Sequence, residues 1–390
     1  MVDSFDKKDC CGCSVCANVC PKGCISMTAD EEGFLYPEID KIGCINCGLC
    51  VKRCPIVNKA NFANGHSPLA YVVQSKDKEI LRNSTSGGSF SIIANWIIEQ
   101  GGSVFGAAFD NKMDVSHIKV ERKDRLYKFQ GSKYVQSNIG LSYKEAKNEL
   151  DKGKYVGFSG TPCQIAGLKS YLKKNYPNLI TIDVVCHGVP SPKFWRNYIS
   201  YYENKYGAKI INASFRNKKY GYNRSTMQLN FDNGKSINRF TMDDYFLSAF
   251  FAEICSRPSC HHCAFKFIDR DSDFTIFDCW NATAFSEQMS KGGATNLFIH
   301  TDAGINIFES IKKHMVYEQI DYNKAVEQDG SMMVKSTVPN KNRTKFFEDL
   351  KLLSVDKLKD KYYPNSLSTI IKSRLRNLII KCGLFNFIFN

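Results

Sequence analysis

The chain has 390 residues, 43% of them apolar, 13% aromatic and 24% charged. That length and composition suit roughly two or three packed domains and exclude whole-chain disorder and a small disulfide scaffold. A formal charge of +14 favours anionic partners. No basic stretch is interleaved with stacking aromatics, however, so it is read as a solvated surface and not as a nucleic-acid interface.

The first residues, Met1 to Asp9, contain no apolar signal region, and no apolar run approaches the ~18 residues of a spanning helix. The expectation is a soluble or peripheral protein of a reducing cytoplasm, where thiols hold metal instead of pairing. Ten of the 17 cysteines lie in the first 54 residues. Cys10-x2-Cys13-x2-Cys16-x3-Cys20-Pro21 is followed by Cys44-x2-Cys47-x2-Cys50-x3-Cys54-Pro55. Each is a complete run of the kind that holds a [4Fe–4S] cubane: three closely spaced thiolates wrap one cluster, and the fourth is carried to the other. Cluster one is therefore assigned to Cys10, Cys13, Cys16 and Cys54, and cluster two to Cys44, Cys47, Cys50 and Cys20. Gly12, Ser14, Ala17 and Gly48 are small enough to let backbone N–H groups approach the sulfurs. Zinc sites are built from paired C-x2-C and do not match two such runs. Cys11 and Cys24 fit neither run and are read as buried thiols.

A linker, Asn58 to Pro68, leads to an α/β texture. Ala70–Val73 reads as a strand, Asn83–Gly88 as a small-residue loop, Phe90–Glu99 as an apolar helix and Val104–Phe109 as the next strand. The loop offers N–H donors for a phosphate at the start of the helix. Lys154–Phe158 and Leu179–Val185 read as strands that place Cys163 and Cys186 just past their carboxyl ends, where open α/β sheets bind ligands. A helix is expected over Ile165–Lys174. Downstream lies Cys255-x4-Cys260-x2-Cys263. A third four-thiolate site is assigned to Cys163, Cys186, Cys260 and Cys263, with Cys255 in reserve. Zinc, suggested by His261 and His262, and a nucleophilic Cys163 or Cys186 remain as alternatives. Three cubanes, each about −2 with its thiolates, would lower the net charge to about +8.

These motifs resemble the coenzyme F420 hydrogenase/dehydrogenase beta-subunit family, in the form with an N-terminal dicluster module. The resemblance runs from about Cys10 to about Phe298. It rests on the two cysteine runs, Thr85–Gly88, Gly131–Tyr134, FSGTPCQ at Phe158–Gln164 and CHGVPSP at Cys186–Pro192. RPSCHHCAFK at Arg257–Lys266 and RDSDFTIFDCW at Arg270–Trp280 complete it. The resemblance implies an α+β ferredoxin-like dicluster module followed by an α/β flavin-binding body with a mixed sheet. It implies FAD lined by Ser86, Gly87, Gly88, Gly131, Ser132, Lys133 and Tyr134, with Thr161 and Gln164 beside it, and a body cluster on Cys163, Cys186, Cys260 and Cys263. The implied activity is an oxidoreductase passing electrons among clusters, flavin and a small-molecule or deazaflavin-like partner. The alternative is a non-catalytic beta subunit working with a partner oxidoreductase subunit, in some relatives beside polysaccharide-building enzymes. Where the family reads TIGDFWG, this chain has Thr275–Asn281, with Phe277, Cys279 and Asn281 replacing two glycines and a phenylalanine. Cys279 is read as a buried hydrophobe or a substitute ligand. No catalytic acid or base is assigned; His187 is a candidate proton donor.

The expected domains are 1–60 (dicluster), 66–148 and 149–315 (the two parts of the body) and 316–390 (a helical, basic extension). Within the extension, Leu367, Ile370, Ile371, Leu375, Leu378 and Ile379 recur at near-helical spacing among Lys372, Arg374, Arg376 and Lys381, before an aromatic tip, Leu384–Phe389. This reads as a helix docked on the body or a partner, or as a peripheral membrane contact.

Overall fold

A computed structural model of the chain describes residues 2–58 and 67–382. Most of the Asn58–Pro68 linker and the whole Leu384–Phe389 tip lie outside the described residues.

The N-terminal module folds around an antiparallel hairpin of β1 (Ile25–Ala29) and β2 (Leu35–Ile39), with a short helix in each cysteine run, Val15–Val19 and Leu49–Lys52. Its hairpin loop enters the body. Phe34 is fully buried among Phe194, Phe346 and Phe347 of the body core, a burial worth ~2 kcal/mol against exposure. Around it, Glu32 pairs with Arg343 at 2.8 Å, and Ser170 Oγ donates to Arg53 O at 2.7 Å. Asn18 Nδ2 donates to Gly140 O at 2.9 Å. The module is thus clamped to the body on several sides.

The body is built on one eight-stranded mixed sheet. In chain order its strands are β3 (Leu69–Ser75), β4 (Ser103–Phe109), β5 (Val115–Val120), β6 (Val156–Gly160), β7 (Leu179–Val184), β11 (Phe274–Cys279), β12 (Ala294–Ile299) and β13 (Met315–Ile320). Across the sheet the order is β13-β3-β12-β11-β7-β6-β4-β5, with β4, β6, β7 and β11 parallel and the flanking pairs antiparallel. A separate antiparallel sheet joins β8 (Ile210–Asn217), β9 (Thr226–Phe231) and β10 (Ser236–Phe240).

Strand alternation sorts the core into two faces. Val104, Ile180 and Ile182 face the helices Ser89–Glu99 and Asp302–Ile311, while Phe105, Val156 and Phe158 face Ser142–Asp151 and Pro162–Leu172. The third core surrounds the helix Pro192–Tyr206, where Trp195 and Tyr198 pack on Phe215 of β8 and on Phe246. Strands from 66–148 and 149–315 share the one sheet. The 316–390 segment is not wholly helical: its first residues complete β13, which pairs antiparallel with β3 because Met315 is a buried core residue. The helix expected over Ile165–Lys174 begins three residues earlier, at Pro162. Proline pre-sets the first helical turn, and Gln164 Oε1 caps it by accepting from Thr161 N at 2.9 Å.

Candidate functional site

Both N-terminal cysteine loops repeat one backbone device. Gly12 (φ 69°) and Ser14 (φ 62°) in the first correspond to Asn46 (φ 53°) and Gly48 (φ 69°) in the second, all left-handed. Alternating left- and right-handed residues turn successive N–H groups inward, as an anionic guest requires. Cys10, Cys13, Cys16 and Cys54 line one cavity of about 20 Å³, and Cys20, Cys44, Cys47 and Cys50 a second of about 170 Å³. The exchange of the fourth cysteine between the two runs is thus present in the fold. Burial, together with the neighbouring thiols, pushes Cys16 up to about 12; such a thiol becomes a thiolate ligand by releasing its proton to metal binding.

Cys11 and Cys24 are not simply buried. Both are half-exposed. Cys24 Sγ lies 3.4 Å from Cys20 Sγ on the second cavity. Cys11 bonds to Cys13 and Cys163, and it lines both the first module cavity and a cavity of the body.

That body cavity, about 180 Å³, is ringed by Cys163, Cys186, Cys260 and Cys263. Parallel pairing of β6 with β7 sets the first two side by side, Cys163 in the first helical turn after β6 and Cys186 two residues past β7. The 3-10 turn Pro258–His262 brings up the others, held where Arg257 N donates to Val189 O at 3.0 Å. Burial pushes Cys186 up to about 12. Cys255 and Cys279 are fully buried in separate apolar clusters and do not reach this cavity. His261 turns away to Thr337, with Nδ1 3.1 Å from its Oγ1, whereas His262 stands at the cavity rim. Among the described residues no three Cys, His, Asp or Glu side chains converge on one point as a single metal ion requires. The thiols instead ring space, which suits a multi-atom cubane.

Beside it opens a cavity of about 1130 Å³. Ser86, Gly88, Gly131, Ser132, Lys133, Tyr134, Thr161 and Gln164 line it. Gly88 (φ 89°) and Gly131 (φ 76°) hold left-handed turns that a side chain would strain. Gly87 does not face the cavity. A Cβ there would sit 2.3 Å from Val73 O, so its small size lets the loop lie directly on β3 and β12. Lys133 Nζ is tied to Lys128 O (2.8 Å) and Gln130 O (3.0 Å), and burial lowers its pKa to about 7.

The divergent Phe277–Asn281 segment lies on the same wall. Phe277 packs edge-on against Phe298, and Asn281, at φ −125°, needs no glycine. Asp278 accepts from Ser86 Oγ, from Tyr222 OH (2.9 Å) and from Arg216 Nη1 (3.0 Å). Arg216, Tyr222 and Asp278 carried no sequence motif that marked them in advance. The helix Leu367–Lys381 covers the cavity with Lys372, Leu375, Arg376 and Ile379, fastened where Ser373 and Arg376 meet Asp243. His187 spends Nε2 on Glu253 and packs against Phe250.

His117 lies on this wall with Nδ1 2.8 Å from Ser137 Oγ and Nε2 2.9 Å from Ser159 O. Desolvation lowers its pKa to about 4. A depressed histidine pKa means the fold holds the neutral ring, so its contribution is complete above about pH 6.5 and fades as pH falls towards 4. Its worth is at most ~3 kcal/mol. His117→Gln is expected to flatten that part of the stability–pH curve, measured by thermal unfolding at a series of pH values; an unchanged slope would refute the assignment.

Residues 153–325 match the family model for the C terminus of the coenzyme F420 hydrogenase/dehydrogenase beta subunit, and residues 9–57 match that of a 4Fe-4S dicluster domain. A structure of the xenon-derivatised F420-reducing [NiFe] hydrogenase complex from Methanosarcina barkeri is 18% identical. The match covers 75% of this chain and 89% of that chain, with a TM-score of 0.46. No curated protein matches the chain. The dicluster domain on this body defines an iron–sulfur electron-transfer protein of an oxidoreductase class. The chain belongs to the coenzyme F420 hydrogenase/dehydrogenase beta-subunit family and carries a dicluster domain at its N-terminus.

Proposed function

We propose that the chain is an iron–sulfur flavoprotein oxidoreductase that exchanges electrons between its clusters and a small-molecule acceptor through FAD. The observation that carries this reading is the contiguity of the cavities. The large cavity and the four-thiol body cavity share Thr161, Gln164, Cys186, His187, Gly188 and Val189 as a common wall, and Cys11 and Gly12 join the body cavity to the first module cavity. Cys10, Cys13, Cys16 and Cys54 would hold one [4Fe–4S] cluster, Cys20, Cys44, Cys47 and Cys50 a second, and Cys163, Cys186, Cys260 and Cys263 a third. Bound there, the clusters would supply one-electron chemistry, and FAD would couple it to a two-electron reduction or oxidation.

The protein's own part is positional. Gly88 and Gly131 open room for the ligand, and Lys133 supplies a desolvated donor. The helix Leu367–Lys381 shields the cavity from water. The exposed thiol edge, Cys47 beside exposed Ile45 and Ile42, is where an external electron partner would meet the module; a partner oxidoreductase could occupy the same place.

Anoxic purification with iron and flavin counting tests the reading. About 12 iron atoms and one FAD per chain support it; about 8 iron without flavin would leave only the dicluster module as read.

Leu367, Ile371, Leu375 and Leu378 are exposed at helical spacing along the last helix, which is the stripe that a peripheral membrane contact would use. No helix among the described residues is long and apolar enough to cross a membrane. Truncation after Asn365 is expected to abolish flotation with anionic vesicles and to lower flavin retention. Equal failure of both forms to float would remove the membrane contact from the proposal.

A further inference from the structure

The wall of the large cavity has spent its acceptors and kept donors. Each oxygen of Asp278 is engaged, one by Ser86 Oγ and Tyr222 OH, the other by Arg216 Nη1. Asp329, on the same wall, accepts from Asn296 Nδ2 at 3.2 Å and from Trp280 N at 3.4 Å. Lys218 is fully used: its Nζ donates to Leu81 O (2.9 Å), Ser86 O (2.6 Å) and Gly292 O (2.7 Å), which makes it a tether for the Ser84–Gly88 loop.

Arg216 differs. Its Nε donates to Ser225 Oγ at 3.0 Å and its Nη1 to Asp278, but Nη2 is buried without a partner. The side chain is only 8% exposed, and its guanidinium lies 4.7 Å over the ring of Trp280, which stacks on Tyr222 at 5.1 Å. The plane of the guanidinium is therefore fixed by one carboxylate and two aromatic rings. An unspent guanidinium N–H at that burial costs free energy unless an acceptor meets it. Ser89 Oγ, on the first residue of the helix Ser89–Glu99, is a second buried polar atom on this cavity without a partner, and its helix has no side-chain cap. A rigid cation and an uncapped helix start on one cavity wall are donors for an oxyanion.

We propose that Arg216 is an oxyanion-binding residue of the large cavity, taking a phosphate or carboxylate oxygen of the bound ligand on Nη2, with Ser89 at the helix start as its co-donor. The site rests on the reading of this cavity as a ligand site, not on the ligand's being FAD. A phosphate oxygen of FAD and an anionic group of the second substrate share this chemistry.

The test uses full-length protein that has been depleted of flavin, with iron content as the check that the chain is folded. FAD, riboflavin and inorganic pyrophosphate are titrated into the wild type, Arg216→Gln and Arg216→Lys. If the oxyanion belongs to FAD, Arg216→Gln weakens FAD binding at least ~10-fold, the loss of one charge-assisted bond, and leaves riboflavin unchanged. Arg216→Lys, which keeps the charge and loses the fork, recovers only part. If it belongs to the second substrate, FAD binding is unchanged and pyrophosphate binding falls by the same factor. Wild-type affinity of folded Arg216→Gln for both FAD and pyrophosphate overturns the proposal, as does failure of the wild type to bind either. A wild type that binds pyrophosphate but not FAD overturns the flavin reading alone, and the Arg216 comparison then proceeds on pyrophosphate.

Discussion

Cys163→Ala is expected to lower the iron content from about 12 to about 8 atoms per chain, with the two module clusters intact. Cys163 is the residue on which the body cavity turns. It sits in the first turn of the helix Pro162–Leu172, bonds to Cys11, and lies with Cys186, Cys260 and Cys263 around one cavity. Removing its sulfur leaves three thiols, one short of a cubane's complement. Thr161 Oγ1, 3.1 Å from Cys163 Sγ, is a poor replacement because a hydroxyl stays protonated where a thiol ionises. Iron assay and the electron paramagnetic resonance of reduced protein give the count directly. The bound flavin should then fail to equilibrate with the module clusters, since the sites between them would be empty. Retention of all the iron by Cys163→Ala, with loss of four atoms in Cys255→Ala, would transfer the site to the buried Cys255. Four thiols filled by one zinc in the wild type would do the same damage to the electron-transfer reading.

The sequence patterns carried different parts of this molecule unequally. The eight module cysteines could be placed because their spacing is local, and the fold brings Cys54 to the first run and Cys20 to the second as the spacing requires. Cys163 and Cys186 were readable because each follows a strand, and neighbouring parallel strands deliver their ends to one edge. What escaped was non-local. Arg216 lies on β8, in a different sheet from the loops it serves, and meets Asp278 across 62 positions of sequence. Cys11 has no pattern of its own; only the docking of the module against the body puts it on two cavities. Gly87, placed with the flavin on resemblance, serves instead the packing of its loop against β3 and β12. β13 escaped because its exposed, polar residues Glu318 and Gln319 suit an edge strand as readily as a helix, and only pairing with β3 decides.

Docking of the module leads to the second large effect. Arg257 is fully buried and holds three acceptors from two parts of the chain: Nε donates to Cys10 O at 2.9 Å, Nη1 to Gln136 Oε1 at 3.0 Å and Nη2 to Leu35 O at 3.1 Å. Its guanidinium also lies 4.1 Å over the ring of Tyr36. Two of these acceptors belong to the module and one to the body, while Arg257 itself begins the turn that carries Cys260 and Cys263. One side chain thus ties the first module loop to the body's thiol cavity. Arg257→Ala would leave Cys10 O, Leu35 O and Gln136 Oε1 without their donor and open a void. The expected cost is about 3 kcal/mol or more. Because the clamp at Glu32–Arg343 and the burial of Phe34 persist, the chain is expected to fold with a loosened module instead of failing to fold. Iron should remain near 12 atoms per chain, the melting temperature should fall, and limited proteolysis should cut between the module and the body faster than in the wild type. Electron exchange between the module clusters and bound flavin, followed by stopped-flow absorbance, should slow by at least ~10-fold, since the contact at Cys11 depends on docking. Arg257→Lys restores the charge but reaches one acceptor at a time, so it should recover stability only in part. Wild-type proteolysis and exchange rates in Arg257→Ala would show that the module is held by the hairpin loop alone.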